Sequence, residues 1–232
     1  MSQFVFTLSS GEEIPVFINT RRGVRNLTLR PKLRPGKEIY ITKPWLVSEN
    51  AAIKFLVSKQ KWIECVFQKC PEKVKIVPGD EITFLGRTVV LQHDSGMRAN
   101  KFSDDGQVLI IGGTPDMFER RVRDFVKDEF LKELKQMIRS TPQEFWPKKI
   151  ALRDTTSRWG SCSSSGTMSF SWRLAFAPMG VMRYVVMHEL AHTKHMNHSP
   201  EFWATVRELY GVGVERAKRW LTKNGGSLHQ YF

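Results

Sequence analysis

Between residues 3 and 43, apolar and polar positions alternate with the period of two that marks half-buried strands. Residues 4–8 and 14–18 flank a Ser-Ser-Gly-Glu-Glu turn and predict a hairpin. Residues 26–30 and 38–42 alternate in the same way, with Pro31, Pro35 and Gly36 marking the turn between them. From Ser48, a residue type suited to an N-cap, the period lengthens. Ile53, Leu56, Val57, Gln60, Ile63 and Phe67 form a mostly apolar stripe that predicts one helix to about residue 69. Strands are predicted over 82–91, with Gly86 suggesting a turn, and over 107–111, ending at Gly112-Gly113. After Thr114-Pro115 the pattern changes. Phe118, Val122, Phe125, Val126, Leu131, Leu134 and Ile138 predict an amphipathic helix over 116–139, with Arg and Lys on its other face. Strands at 150–153 and 168–174 enclose a polar loop at 157–163, and helical patterns follow over 180–195, 200–210 and 214–223. The order predicts an α+β protein: a β-rich N-terminal region with one helix, residues 1–114, then an α+β domain, residues 115–232.

Composition supports a soluble globular chain, with 232 residues, 41% hydrophobic and 25% charged. No window has the apolar length of a membrane span, and the N-terminus lacks a basic stretch followed by an apolar run. Cys65, Cys70 and Cys162 are an odd set without a C-x-x-C pair, so a disulfide framework is not expected and a reducing, cytoplasmic setting is. Lys and Arg number 36 against 23 Asp and Glu, a formal charge of +13. That balance attracts phosphate-rich or acidic partners, nucleotides and nucleic acids among them, but equally describes a solvated basic surface, because the basic residues form no tail or block.

The chemistry concentrates in His188-Glu189-Leu190-Ala191-His192, an H-E-x-x-H sequence. Residues four apart share a helix face, so His188 and His192 can present ring nitrogens to one metal ion. Glu189 is placed to reach a water held by that metal; zinc lowers the water's pKa toward about 7 and the carboxylate takes its proton. Chance supplies only about 0.015 such patterns in a chain of this composition, and residues 181–187 give the buried helix the motif needs. A catalytic zinc takes a third protein ligand and keeps a position open. His195 and His198 are the two candidates. His195 falls on the ligand face one turn further along an unbroken helix. His198 completes H-E-x-x-H-x5-H if the chain leaves the helix and turns back. Ser199-Pro200-Glu201 is a helix-start signal immediately after it, which favours His198.

Arg158-Trp159-Gly160-Ser161-Cys162, Trp172-Arg173-Leu174, Ala177-Pro178, residues 184–192 and Asn197-His198-Ser199-Pro200-Glu201-Phe202-Trp203, with residues 21–44 and Gly86-Arg87, resemble the YgjP-like metallopeptidase-domain family. The resemblance implies zincin-like architecture for 115–232, a small sheet packed on the active-site helix, and one Zn2+ per chain. As in the similar SprT-like proteases, it implies ligands at His188, His192 and His198 and a base at Glu189. The metzincin pattern places glycine where this chain has His195, so that group fits less well.

Four further residues are candidates for substrate contact or support of the site. Arg158 suits an oxyanion or phosphate, Trp159 stacking or packing, Tyr184 an oxyanion or support of His188, and His195 proton donation or a helix end. Phe202 and Trp203 are expected to pack, and His93 and His229 to be structural or surface residues. A peptidase is the leading expectation, with the strand at 168–174 as a sheet edge that pairs an extended peptide. The alternatives are a metal-dependent nucleotide phosphohydrolase and a basic nucleic-acid-associated protein with structural zinc. A spare acid beside the ligands has no use in the last.

Overall fold

The computed structural model describes residues 2–32, 36–68, 74–155 and 158–232. Pro35, Lys69, Cys70 and Ser157, each part of the reading above, lie outside the described residues. The chain forms two compact units, residues 1–71 and 72–232.

In the first unit, β1 (Ser2–Thr7) and β2 (Glu13–Arg21) form the expected antiparallel hairpin; β3 (Thr28–Lys32) and β4 (Glu38–Pro44) complete a sheet of order β1-β2-β4-β3. Inward-facing Val16, Ile18, Ile39 and Ile41 share one hydrophobic cluster with Ala52, Leu56 and Ile63. The single helix expected from Ser48 is two, α1 (Glu49–Ser58) and α2 (Gln60–Gln68). Ser48 caps the first by accepting from Ala51 N–H at 3.2 Å. At the break the Ser58 hydroxyl donates to the Phe55 carbonyl at 2.7 Å, a local bond that competes with the helix ladder.

In the second unit, β5 (Glu81–Phe84), β6 (Arg87–Asp94), β7 (Lys101–Phe102) and β8 (Val108–Gly112) form a sheet of order β5-β6-β8-β7. A long helix, α3 (Phe118–Arg139), follows. Then come β9 (Lys149–Arg153), β10 (Gly160–Cys162) and β11 (Thr167–Ser171), in the order β10-β11-β9, and helices α4 (Met179–Ala191), α5 (Pro200–Tyr210) and α6 (Val214–Asn224). The packing boundary falls between 71 and 72 rather than near 114, because Ile82, Phe84, Leu91 and Leu109 share one hydrophobic cluster with α3 and α4. Strands before Thr114 and helices after it build a single core, which a change of local pattern does not reveal.

Two corrections concern the sheet nearest the motif. Part of the segment expected as a polar loop is the strand β10, and β11, expected at an edge, is central. The edge is β10. Its residues are glycine, serine and cysteine, too short a run to show strand periodicity.

The β5–β6 hairpin positions α4. Leu85 and Gly86 have φ of 48° and 79°, the paired left-handed geometry of a two-residue hairpin. Leu85 N–H donates to the Ala175 carbonyl at 2.8 Å, and a Cβ on Gly86 would stand 3.2 Å from Met179 N. The hairpin tip therefore sits against the start of α4, and the position needs glycine for both φ and space. Among the described residues, no helix is long and apolar enough to cross a membrane.

Candidate metal centre

Helix α4 is buried almost all round: Val181, Met182, Val185, Val186, Met187, Leu190 and Ala191 are in the core. An apolar helix of this kind belongs in the centre of a domain, and it carries His188 and Glu189 there. The helix stops at Ala191, with His192 as C-cap. His195 N–H donates to the Ala191 carbonyl at 3.1 Å, closing the last turn, and the chain then bends back. Ser199 accepts from Phe202 N–H at 3.4 Å as N-cap of α5, with Pro200 in its first turn. His198 is thereby held just before a helix start, over the face of α4 that carries His188.

Ligand-competent atoms of His188, His192 and His198 all lie within 4.8 Å of one another. His188 Nε2 and His198 Nε2 are 3.2 Å apart. Two nitrogens bound to one tetrahedral zinc at about 2.0–2.1 Å would be about 3.3 Å apart, so the observed separation fits a shared cation. His192 Nδ1 donates to the His195 carbonyl at 2.9 Å, which leaves Nε2 as its free lone pair. Phe202 is the floor beneath the three rings, with centroids 4.9, 4.5 and 4.7 Å from His188, His192 and His198. A donor set of three imidazoles suits zinc and other borderline divalent ions.

Glu189 is 6% exposed. Burial pushes its carboxyl up to about 7, while the Arg158 guanidinium pulls the other way. Burial, reinforced by His192, His198 and Lys218, holds His188 down at about 4, so the ring is neutral and ready to ligate at pH 7. Burial also lowers His192, against the opposing effect of its bond to His195.

The family model for the YgjP-like, metallopeptidase domain matches residues 25–224. The chain belongs to the YgjP-like metallopeptidase family. No curated protein matches it. Among solved structures, the metallopeptidase zymogen abylysin of Pyrococcus abyssi is 24% identical over 42% of this chain and 93% of that one, with a TM-score of 0.32.

The other residues singled out in this family member separate by position. Tyr184 is buried one turn before His188, with ring centroids 5.9 Å apart; burial raises its hydroxyl, with Glu215 and Glu189 adding to the effect. His195 meets the site through its backbone carbonyl. Trp159 packs: its ring lies 5.1 Å from His229, and a Cβ on Gly225 would stand 3.0 Å from its Cζ2. Arg158 is exposed and faces Glu189 electrostatically. His93 binds the Gly113 carbonyl at 2.7 Å, and His229 is buried.

Sequence reasoning missed three contributors. Gly160 lies against Glu189: a Cβ there would be 2.5 Å from Oε1 and 2.6 Å from Cγ. Lys218, on α6, lies 4.8 Å above the Trp203 ring and adds positive charge beside His188. Arg173, quoted only as part of a motif, is 3% exposed and bonds both Asp154 oxygens, at 2.8 and 3.2 Å, and the Tyr231 and Phe232 carbonyls. Nothing local in the sequence marks a partner that distant.

Proposed function

We propose that this chain is a zinc-dependent metallopeptidase in which His188, His192 and His198 hold the metal and Glu189 is the general base. The observation that carries the reading is the convergence of three imidazoles within 4.8 Å beside a buried carboxyl that is not one of them. Zinc held by these three histidines would supply Lewis acidity, polarising a scissile carbonyl and acidifying a bound water. Glu189 takes a proton from that water as oxygen bonds to the carbonyl carbon. It then gives the proton to the amide nitrogen as the carbon–nitrogen bond breaks. Burial raises the Glu189 carboxyl and so strengthens it as a proton acceptor. The free edge of β10 suits an extended peptide, which would gain main-chain hydrogen bonds there.

Glu189→Gln keeps the side chain's size and removes the base. Zinc content should stay near one per chain while peptide hydrolysis falls by roughly 10²–10⁴-fold. His188→Ala should lose the metal. Unchanged hydrolysis in the Gln variant, or nucleoside triphosphate hydrolysis in place of peptide cleavage by the wild type, would overturn the reading.

A further inference from the structure

A depression of about 250 Å³ opens on the β10-β11-β9 sheet, lined by Arg153, Thr155, Arg158, Gly160, Ser161, Ser169 and Phe170. Strand alternation fixes which face this is. The Cβ direction of Gly160 points at Glu189, and Phe170, its register partner, is fully buried, so that face meets α4. Ser161 and its partner Ser169 therefore point the other way. Arg153 and Arg158 line the same depression as those hydroxyls. Among the described residues neither has a carboxylate within salt-bridge distance. Asp154, the acid next to Arg153 in sequence, is turned to Arg173 instead. Thr155 Oγ1 donates to the Arg158 carbonyl at 2.7 Å and so fixes where Arg158 leaves the backbone.

We propose that Arg153 and Arg158, with the Ser161 and Ser169 hydroxyls, form a specificity subsite for an acidic side chain of the peptide substrate. The inference rests on the peptidase reading above. A peptide extending β10 along its free edge sends alternate side chains to the two sheet faces. Residues facing α4 meet the histidines and Glu189; their immediate neighbours face the arginine pair. The occupant is thus a Glu or Asp within two residues of the cleaved bond. The volume suits one side chain and falls below the range of about 300–1,000 Å³ usual for whole small-molecule ligands such as nucleotides. Two guanidiniums without a salt-bridge partner among the described residues favour a carboxylate over an amide by charge-assisted bonds, for which about tenfold is a modest expectation.

The test digests a proteome-derived peptide library with the zinc-loaded full chain and maps the cleavage sites. Glu and Asp should be enriched over Gln and Asn, by about tenfold in kcat/KM, at one position within two residues of the cut. Arg153→Gln should erase that enrichment and Arg153→Lys should retain part of it. Lys135→Gln, which removes the same charge from an exposed position on α3, should leave it intact. Cleavage without acidic enrichment, or enrichment that survives Arg153→Gln, overturns the subsite and spares the peptidase reading. If no peptide is cut, the peptidase reading fails. The subsite is then decided by NMR titration of the Glu189→Gln protein with N-acetylglutamate amide and N-acetylglutamine amide. Shifts at Arg153 and Ser169 with the glutamate compound alone uphold it. Equal response to both, or displacement of the glutamate compound by equimolar inorganic phosphate, overturns it.

Discussion

A methyl group at position 160 would stand 2.5 Å from Glu189 Oε1, inside any tolerable contact, so the glycine is what lets the carboxyl lie against β10. Gly160→Ala should push Glu189 aside rather than unfold the protein, because the atoms in the way belong to a side chain. The expected result is a drop in kcat of tenfold or more with a thermal midpoint within a few degrees of wild type. A variant with wild-type kcat would show that the carboxyl's position is not set by this contact. The acidity of Glu189 predicts a second effect in metal-free protein. Its folded value of about 7 lies above the ordinary 4.5, so the fold binds the proton more tightly than the unfolded chain does. The resulting stabilisation is present below pH 4.5 and is lost as pH rises through 7. Glu189→Gln has no such loss. Urea unfolding should find the variant gaining on wild type between pH 4.5 and 8, by up to about 3 kcal/mol, whereas a pH-independent difference would contradict the burial argument. His188 has the opposite slope, its value of about 4 lying below 6.5: its contribution is lost as pH falls from 6.5 through 4, equally in both proteins.

At the scale of elements, the turn after α4 brings His198 rather than His195 to His188 and His192. On a helix unbroken to residue 195, His195 would be a candidate third ligand. The helix ends at Ala191, and the His195 carbonyl accepts from His192 Nδ1. A backbone carbonyl survives truncation of its side chain. His195→Ala should therefore hold zinc within about threefold of wild-type affinity. His198→Ala should weaken it by at least about a hundredfold, as measured by competition with a chromogenic chelator. The reverse order would mean that the chain folds with its helix extended. Long periodic elements were legible in the sequence: α3 at Phe118–Arg139 and α5 at Pro200–Tyr210 lie where spacing and caps placed them, within two residues. What was not legible has a common physical cause. β10 is three residues of glycine, serine and cysteine at a sheet edge, where pairing with β11 rather than any propensity makes the strand. The Gly160–Glu189 and Arg173–Asp154 contacts likewise join residues that only the finished sheet and helix bring together. H-E-x-x-H was visible because one helix carries its whole geometry.

Across the whole molecule, two hydrophobic clusters divide the chain at 71/72, and the three histidines belong to the second unit. A ligand that binds only the folded state stabilises by mass action, and three residues from α4 and the segment before α5 cannot converge in an unfolded chain. Zinc at a thousandfold excess over its dissociation constant should then contribute about 4 kcal/mol. For a domain of this size each kcal/mol raises the midpoint by about 2–4 °C. Scanning calorimetry of the full chain should show the transition of the histidine-bearing unit rising by about 8–16 °C on reconstitution. The rise should vanish in His188→Ala and persist in Glu189→Gln, whose side chain lies against Gly160 and is not part of the histidine cluster. The dependence on free zinc concentration separates specific binding from contact with the wider surface. A site-bound metal gives a midpoint that climbs with the logarithm of zinc above the dissociation constant. Loose association with the scattered acidic groups of a chain carrying +13 gives no such rise, since it stabilises folded and unfolded states alike. A midpoint that ignored zinc, or rose equally in His188→Ala, would leave the histidine cluster without a metal to hold.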